Sequence, residues 1–357
     1  MTTYPHNRRI RTAFIFAFVV LLQAAAPAAF AHDICVADAT GLQQALDAVS
    51  DGGAFVDEDV TIRLVAGTYL TPGQAFTSEA LATTHGLTIE GGFEAGCAGV
   101  ARKAATTILD GHGVSGVLVL RRPQAWLTVR YMTLQNGNAD VGAGLQVNYG
   151  LTPTGRVAVN HVIVRDNQAT GAGGGLYLRG AAPSGFLGVD VRWALVTGNQ
   201  SGDDGGAINA VANSGGARVE RSTIIGNSAA GSAVGGVTCA CPMACLIRAV
   251  YAWGNSTSSL HLFVPSSVAC VDVDVRTGVT PYYESNNLSV EPVFVDAAGG
   301  DYHVRTGSPG FHACLDLRPP DVDLDDGAYP LIGMGASAIL TTFGAYGDIV
   351  FRDRFGD

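Results

Sequence analysis

Lysine is almost missing from this chain, with Lys103 its only representative among 21 Lys and Arg residues. Schiff-base chemistry and a lysine general base therefore have almost no candidates. Positive charge is scarce altogether. The first 31 residues hold three arginines and no acid, so the remainder carries 18 basic and 31 acidic side chains, a net charge of −13. That balance argues against a nucleic-acid partner. Beyond residue 31 no run of about 18 apolar residues occurs, so no membrane-spanning helix is expected. There is also no room for the alternating strands of a C-terminal membrane barrel. Ten-residue amphipathic stretches and a leucine ladder are both lacking between residues 129 and 260, which sets aside helical and leucine-rich repeats.

What is present is glycine, 47 residues of it, in a chain that is 47% hydrophobic. This composition suits many short strands joined by tight turns. Between residues 129 and 260 the chain repeats itself at intervals of roughly thirty residues, the mark of stacked coils. One apolar column reads Val129, Val159, Val191, Val219, Ile247, and a second reads Leu134, Val164, Val196, Ile224, Ala252. A third reads Leu145, Leu176, Ile208, Val237, Leu260. Small pairs precede it in the middle coils, at Gly174-Gly175, Gly206-Ala207 and Gly235-Gly236, where coils turn tightly. Two residues separate strand pairs such as Val157 to Val159 and Val162 to Val164, so each coil holds several short strands. The expected fold is all-β, a right-handed parallel β-helix of the pectate-lyase-like kind.

Three residues after the second column stand Gly137, Asn167, Asn199, Asn227 and Asn255. Stacked coils lie about 4.8 Å apart, so these amides can link into a ladder, and asparagine tolerates the left-handed backbone of a turn. A row of amides that reads sugar is the functional alternative, but a ladder hides these groups from a ligand.

Residues 1–31 read as a secretory signal, with Arg8, Arg9 and Arg11, an apolar run from Ala13 to Ala26, and Ala29-Phe30-Ala31 as cleavage site. Twin-arginine export fits the residues around Arg8-Arg9 poorly. Seven cysteines in an exported protein point to disulfides, with one thiol left over or linked elsewhere. Cys35 and Cys97 bracket the N-terminal segment and are the expected pair. Cys239, Cys241, Cys245 and Cys270 crowd one coil, and Cys314 stands apart. Their C-x-C-x3-C spacing matches no common zinc site.

Thr40 to Val49 has the pattern of a short amphipathic helix, with Thr40 and Gln43 at capping-box spacing and Leu42, Ala45, Leu46 and Val49 on one face. Such a helix would close the open end of a strand stack. The chain divides into an N-terminal cap and first coils at 32–110, regular coils at 111–280, a C-terminal capping segment at 281–346 and a tail at 347–357.

The segment Gly205-Gly206-Ala207-Ile208, with the steps Val164 to Asn167, Val196 to Asn199 and Ile224 to Asn227, resembles the repeats of polymorphic outer-membrane proteins. Asn287-Leu288-Ser289-Val290-Glu291-Pro292-Val293-Phe294-Val295-Asp296, followed by Gly300-Asp301-Tyr302-His303-Val304 and Gly307-Ser308-Pro309, resembles the tail of the choice-of-anchor Q type of β-helix protein. In place of the usual small-apolar-acidic triplet after Ser-Pro, this chain has Gly310-Phe311-His312. Phe343-Gly344-Ala345-Tyr346 would be the closing strand of that tail. Asp348 to Phe355 is similar to an aromatic and acidic tail on exported proteins of some Gram-negative bacteria. These resemblances imply export and display at the cell surface or release, and leave function open.

A β-helix also hosts lyases and hydrolases of polysaccharides. A calcium-dependent lyase needs a column of carboxylates and a nearby arginine. Here Asp166 aligns with Gly198 and Gly226, and Asp190 with Arg218. Hydrolysis needs paired carboxylates, and Asp203-Asp204 is the only adjacent pair within the coils. A polygalacturonase places Gly-His-Gly after its aspartates, whereas Gly111-His112-Gly113 precedes them here. Asp203 and Asp204 read better as a solvated turn, and Asp110-Gly111 as the turn that ends a strand. His161 reads as a surface histidine at a bend. Asp321, Asp323 and Asp325 alternate in a turn and can converge on Ca²⁺, the one cofactor the sequence points to. Glycine is missing from the sixth position of that loop, and Ile332 stands where a bidentate glutamate would sit.

The expectation is a monomeric, non-catalytic surface protein that binds an extracellular glycan or cell-surface ligand. A polysaccharide lyase or hydrolase working in the lateral groove is the alternative. Adhesion asks for an aromatic or polar stripe along one flank, for which Trp126, Tyr149, Tyr177, Trp193 and Trp253 are the candidates; if they are buried or scattered, a third reading, a structural surface spacer without a ligand, gains.

Overall fold

The computed structural model describes residues 32–311, 314–316, 324, 332–333, 339–341 and 344–345. Residues 1–31, expected to be a secretory signal, the expected tail at 347–357 and the acidic triplet Asp321, Asp323 and Asp325 lie outside them. The fold is a right-handed parallel β-helix of about 8 turns.

A regular coil carries three strands. That from Val157 has a long bent strand, Val157–Arg165, a two-residue strand, Gln168–Ala169, and a third, Leu176–Gly180. Each stacks in parallel on its equivalents above and below, giving three sheets. The three apolar columns align residue for residue, as in Leu134–Val164–Val196–Ile224–Ala252 and Leu145–Leu176–Ile208–Val237–Leu260. They fill one continuous core running from Val36 to Val273.

The bend in the long strand has one cause in every coil. Tyr131, His161, Trp193, Arg221, Ala249 and Cys270 all take a left-handed backbone, with φ between 47° and 57°. This corner shifts the in-out alternation by one residue, so Val157 and Val159 before it and Val162 and Val164 after it all point inward. The strand thus has two legs, each with its own outer face.

The amide ladder forms at the next turn. Asn167 Nδ2 donates to Asn199 Oδ1 at 2.8 Å, Asn199 Nδ2 to Asn227 Oδ1 at 2.9 Å, and Asn227 Nδ2 to Asn255 Oδ1 at 2.9 Å. Each Oδ1 also accepts the backbone N–H of the preceding member, and Asn167 serves Gly137 N in the same way. All four side chains are buried, so they are structural groups that no ligand reaches.

The N-terminal helix spans Ala39–Ala48 and buries Leu42, Ala45 and Leu46. Its cap differs from the capping box read in the sequence. Asp38, in extended backbone, accepts from Gly41 N at 2.7 Å. Gln43 is drawn instead to the neighbouring strand, where its amide donates to Thr77 O and accepts from Thr77 N. Cys35 is joined to Cys97 and Cys239 to Cys245, Cys270 is also disulfide-bonded, and Cys241 is a buried free thiol.

The C-terminal segment runs back along the side of the stack. Phe294–Asp296 pairs antiparallel with Asp301–Val304. Phe294 and Val304 pack on Tyr251 and Cys270, while Leu324 and Ala345 pack on Leu195 and Ala104. Gly344 and Ala345, expected within a strand, form a bend whose N–H groups donate to Ala249 O and Thr223 Oγ1. The outer face of the second leg is therefore covered, which leaves the first leg as the long flank.

Candidate functional site

On that first leg the outward positions form two columns. The one next to the corner reads Arg63, Glu90, Arg130, Asn160, Arg192, Glu220, Arg248. The other reads Thr61, Thr88, Thr128, Ala158, Asp190, Arg218. Arginine thus recurs along one face of a chain whose net charge is strongly negative.

The carboxylates here are consumed by neighbouring guanidinium groups. Asp190 is buried and lies between Arg156 at 2.6 Å, Arg218 at 2.8 Å and Arg192 at 3.5 Å. Burial alone would raise its pKa, but hydrogen bonding to Arg218 and the charges of Arg218, Arg192 and Arg156 outweigh it and hold the group below the ordinary range. Glu90 pairs with Arg130 at 2.9 Å, and Glu220 with Arg221 at 3.1 Å. None of the three is left to act as a free general base or a cation ligand.

Beside the corner lies a cavity of about 420 Å³ lined by Arg102, Arg130, Tyr131, Asn160, His161, Arg192 and Trp193. Its floor is a stack of rings drawn from successive coils. Tyr131 lies 4.8 Å from His161, and His161 stacks on Trp193 at 4.8 Å with 14° between the planes. Arg192 and Arg221 each lie 5.3 Å from the Trp193 ring, within cation–π range. His161 is only 4% exposed, so the surface histidine read from the sequence is corrected. The left-handed corner turns its ring between those of the coils on either side. The Nε of Arg130, the Nε of Arg192 and the indole Nε1 of Trp193 are buried without a hydrogen-bond acceptor.

At the opposite edge of the same leg stands Trp126, 58% exposed, with Arg156 over its ring at 5.4 Å. Trp126 separates two grooves. One, of about 520 Å³, runs past Asp59, Thr61, Thr88 and Thr128; the other, of about 430 Å³, past Thr154, Pro183 and Phe186. Trp126, Thr128 and Arg130 alternate along one strand edge, so this flank offers in sequence an aromatic platform, hydroxyls and cations.

The remaining candidate residues do not join this flank. Tyr149 and Tyr177 pair edge to face at 5.3 Å, with Tyr177 on the Leu145–Leu176 sheet. Trp253 ends the second leg. Asp203 is exposed and accepts from Asp204 N, while Asp204 accepts from Val234 N, so both carboxylates brace a turn. Asp110 accepts from Gln135, Asn136 and His112 N. These bonds outweigh its burial and lower its pKa. Asp321, Asp323 and Asp325, the candidate calcium ligands, lie outside the described residues.

The stacking of the corner residues escaped the sequence reading, which took Trp193 as part of an aromatic flank and His161 as a surface residue, although their shared period was present. Tyr131, His161, Trp193 and Arg221 each stand two residues after a member of the Val129 column. They keep its period but are not apolar throughout, so hydrophobicity alone does not find them.

The fold defines a parallel β-solenoid protein. Comparisons with family models, with curated proteins and with solved structures give no match.

Proposed function

We propose that the protein is an exported β-helix, displayed on the cell surface or released, that binds acidic glycans along the first-leg flank without cleaving them. One observation carries this reading. Arg102, Arg130 and Arg192 surround Asn160 over a floor of stacked rings, on a chain of net negative charge. Guanidinium groups suit carboxylate and sulfate oxygens, and an exposed tryptophan suits the apolar face of a pyranose. The grooves on either side of Trp126 extend the surface over several coils, so many weak contacts add up along a polymer. Export rests on the N-terminal 31 residues, and display on the likeness of residues 287–309 to the choice-of-anchor Q tail and of the repeats to polymorphic outer-membrane proteins. A monomer, and a Ca²⁺ held by Asp321, Asp323 and Asp325, belong to the same proposal.

A second reading, β-elimination of a uronate in the same groove, is favoured by Tyr131, His161 and Asn160 standing together with arginines. Proton abstraction would fall to a ring group. Hydrolysis has no such support, because Glu90, Asp190 and Glu220 are all ion-paired.

The test is retention of the mature protein on immobilised uronate, sulfated and neutral polysaccharides with Ca²⁺ present, while chain cleavage is followed in parallel. Retention on the acidic polymers, weakened by salt and by R130Q/R192Q, supports the proposal. Cleavage that yields an unsaturated uronate would establish the second reading. Equal retention of wild type and R130Q/R192Q would overturn the groove as the binding site.

A further inference from the structure

The stretch Cys239-Ala240-Cys241-Pro242-Met243-Ala244-Cys245 joins a strand of the Leu145–Leu176 sheet to the next long strand. Its three cysteine side chains turn into the solenoid core, where each is at most 6% exposed. Cys239 pairs with Ala210 below and Leu262 above, and Cys245 with Ala217, so the wall around them is apolar. The three sulfur atoms lie within 4.8 Å of one another. Cys239 and Cys245 are bonded, and the free Cys241 Sγ stands 3.5 Å from Cys245 Sγ. Neither the amide ladder nor the arginine flank explains why a third cysteine is placed beside a finished disulfide.

We propose that the reduced form of this triad is a three-thiolate site for a soft monovalent cation, Cu(I), and that the Cys239–Cys245 disulfide closes it. A dithiol reductant opens the site by breaking the S–S bond. Two electrons and two protons pass to the sulfur atoms of Cys239 and Cys245, and the dithiol leaves as its own disulfide. Cu(I) then replaces the thiol protons, which go to solvent, and the metal keeps its oxidation state. A metal–sulfur bond of about 2.3 Å places the corners of a trigonal site about 4 Å apart. The 3.5 Å separation of Cys241 and Cys245 is close to that spacing, so only the bonded pair must open. Thiolates select a soft ion over Ca²⁺ or Mg²⁺. Zinc asks for four donors, and among the described residues the group has three. Pro242 and Met243 form an exposed lip in the same loop, where the Met243 Sδ accepts from Gly185 N at 3.5 Å.

The test uses the full-length mature protein, reduced without oxygen and titrated with Cu(I) against bicinchoninate. Its comparisons are C241S and C239S/C241S/C245S, the latter keeping the other four cysteines as a measure of unspecific thiol uptake. Wild type is expected to hold about one equivalent more than the triple variant. C241S is expected to bind roughly tenfold more weakly or worse, and the oxidised wild type to match the equally oxidised triple variant. Equal uptake by reduced wild type and triple variant would overturn the proposal. So would Zn(II) that displaces Cu(I) at equal concentration. If the triple variant does not fold by circular dichroism, peptide mapping of reduced wild type decides the matter. Cu(I) must then shield Cys239, Cys241 and Cys245 from N-ethylmaleimide, and unshielded thiols would overturn the site.

Discussion

The guanidinium of Arg122, wholly buried, donates through Nη1 to the carbonyl of Val49 at 2.6 Å, across 73 positions of sequence. Its Nη2 reaches His85 O at 3.2 Å. The residue that ends the capping helix is thereby tied to the loop of a later coil. Arg122→Ala should lower unfolding stability by about 3 kcal/mol, because it leaves a buried carbonyl without its charged donor. Urea unfolding followed by circular dichroism measures it, and a loss under about 0.5 kcal/mol, the range of an ordinary surface change, would refute the role.

Asn199 occupies the middle of the ladder. Its amide donates to Val164 O and Asn227 Oδ1, and its Oδ1 accepts from both nitrogens of Asn167. Asn199→Ala should cost about 3 kcal/mol, since several buried groups lose their partners at once. Asn138→Ala, at an exposed position, serves as the control and should stay within about 0.5 kcal/mol of wild type.

Asp190 is the shared anion of Arg156, Arg192 and Arg218. Asp190→Asn leaves three guanidinium groups without their carboxylate and should destabilise by about 3 to 5 kcal/mol. The pKa is lower in the folded state, so the ion pair stabilises above the unfolded value of about 4. That contribution is lost as pH falls through the folded value, because the native state must then take up a proton. A pH series of thermal unfolding should show wild type and variant converging in acid.

Asp272 behaves in the opposite sense. Burial raises its pKa from 3.8 to about 6, helped by Asp274 and opposed by a hydrogen bond from Val290 N. Its Oδ2 is buried and unpartnered. The folded state therefore holds this proton more tightly, and stability falls as pH rises between about 4 and 6. Asp272→Asn should remove that slope and stabilise at pH 7 by about 2 kcal/mol. An unchanged pH profile in the variant would contradict the assignment.

The Cys35–Cys97 disulfide closes a loop of 62 positions over the first coils. Replacing both residues by serine should lower stability by about 4 kcal/mol on chain-entropy grounds. The midpoint of chemical unfolding checks it, with and without reductant.

Much of the solenoid can be read from residues alone. Val129, Leu134 and Leu145 recur with their partners because every coil must bury the same inward positions, and Asn167 recurs with Asn199 and Asn227 because each turn needs the same amide. The helix near residue 40 is visible too, but its cap is not. Asp38 takes the role that Thr40 was expected to fill, and Gln43 bonds Asp47 one turn on and Thr77 of the neighbouring strand instead of the helix start. The corner rings are harder to find. Nothing local distinguishes a histidine at a bend from an exposed one, and His161 is buried only because Tyr131 and Trp193 occupy the same corner in the coils beside it.

By itself, then, the sequence determined the period, the inward columns and the amide ladder. These are local patterns repeated coil after coil, and repetition makes them visible. The tertiary structure alone decided that arginines gather along the first leg, that Asp190 sits among three of them, that the C-terminal segment covers the second leg, and that three sulfur atoms meet in the core. The arginine flank and the setting of Asp190 depend on residues that lie one strand spacing apart in space while standing some thirty positions apart in the chain; the cover of the second leg depends on a later segment folding back on the stack, and the cysteines, close in sequence, meet because the fold turns all three inward.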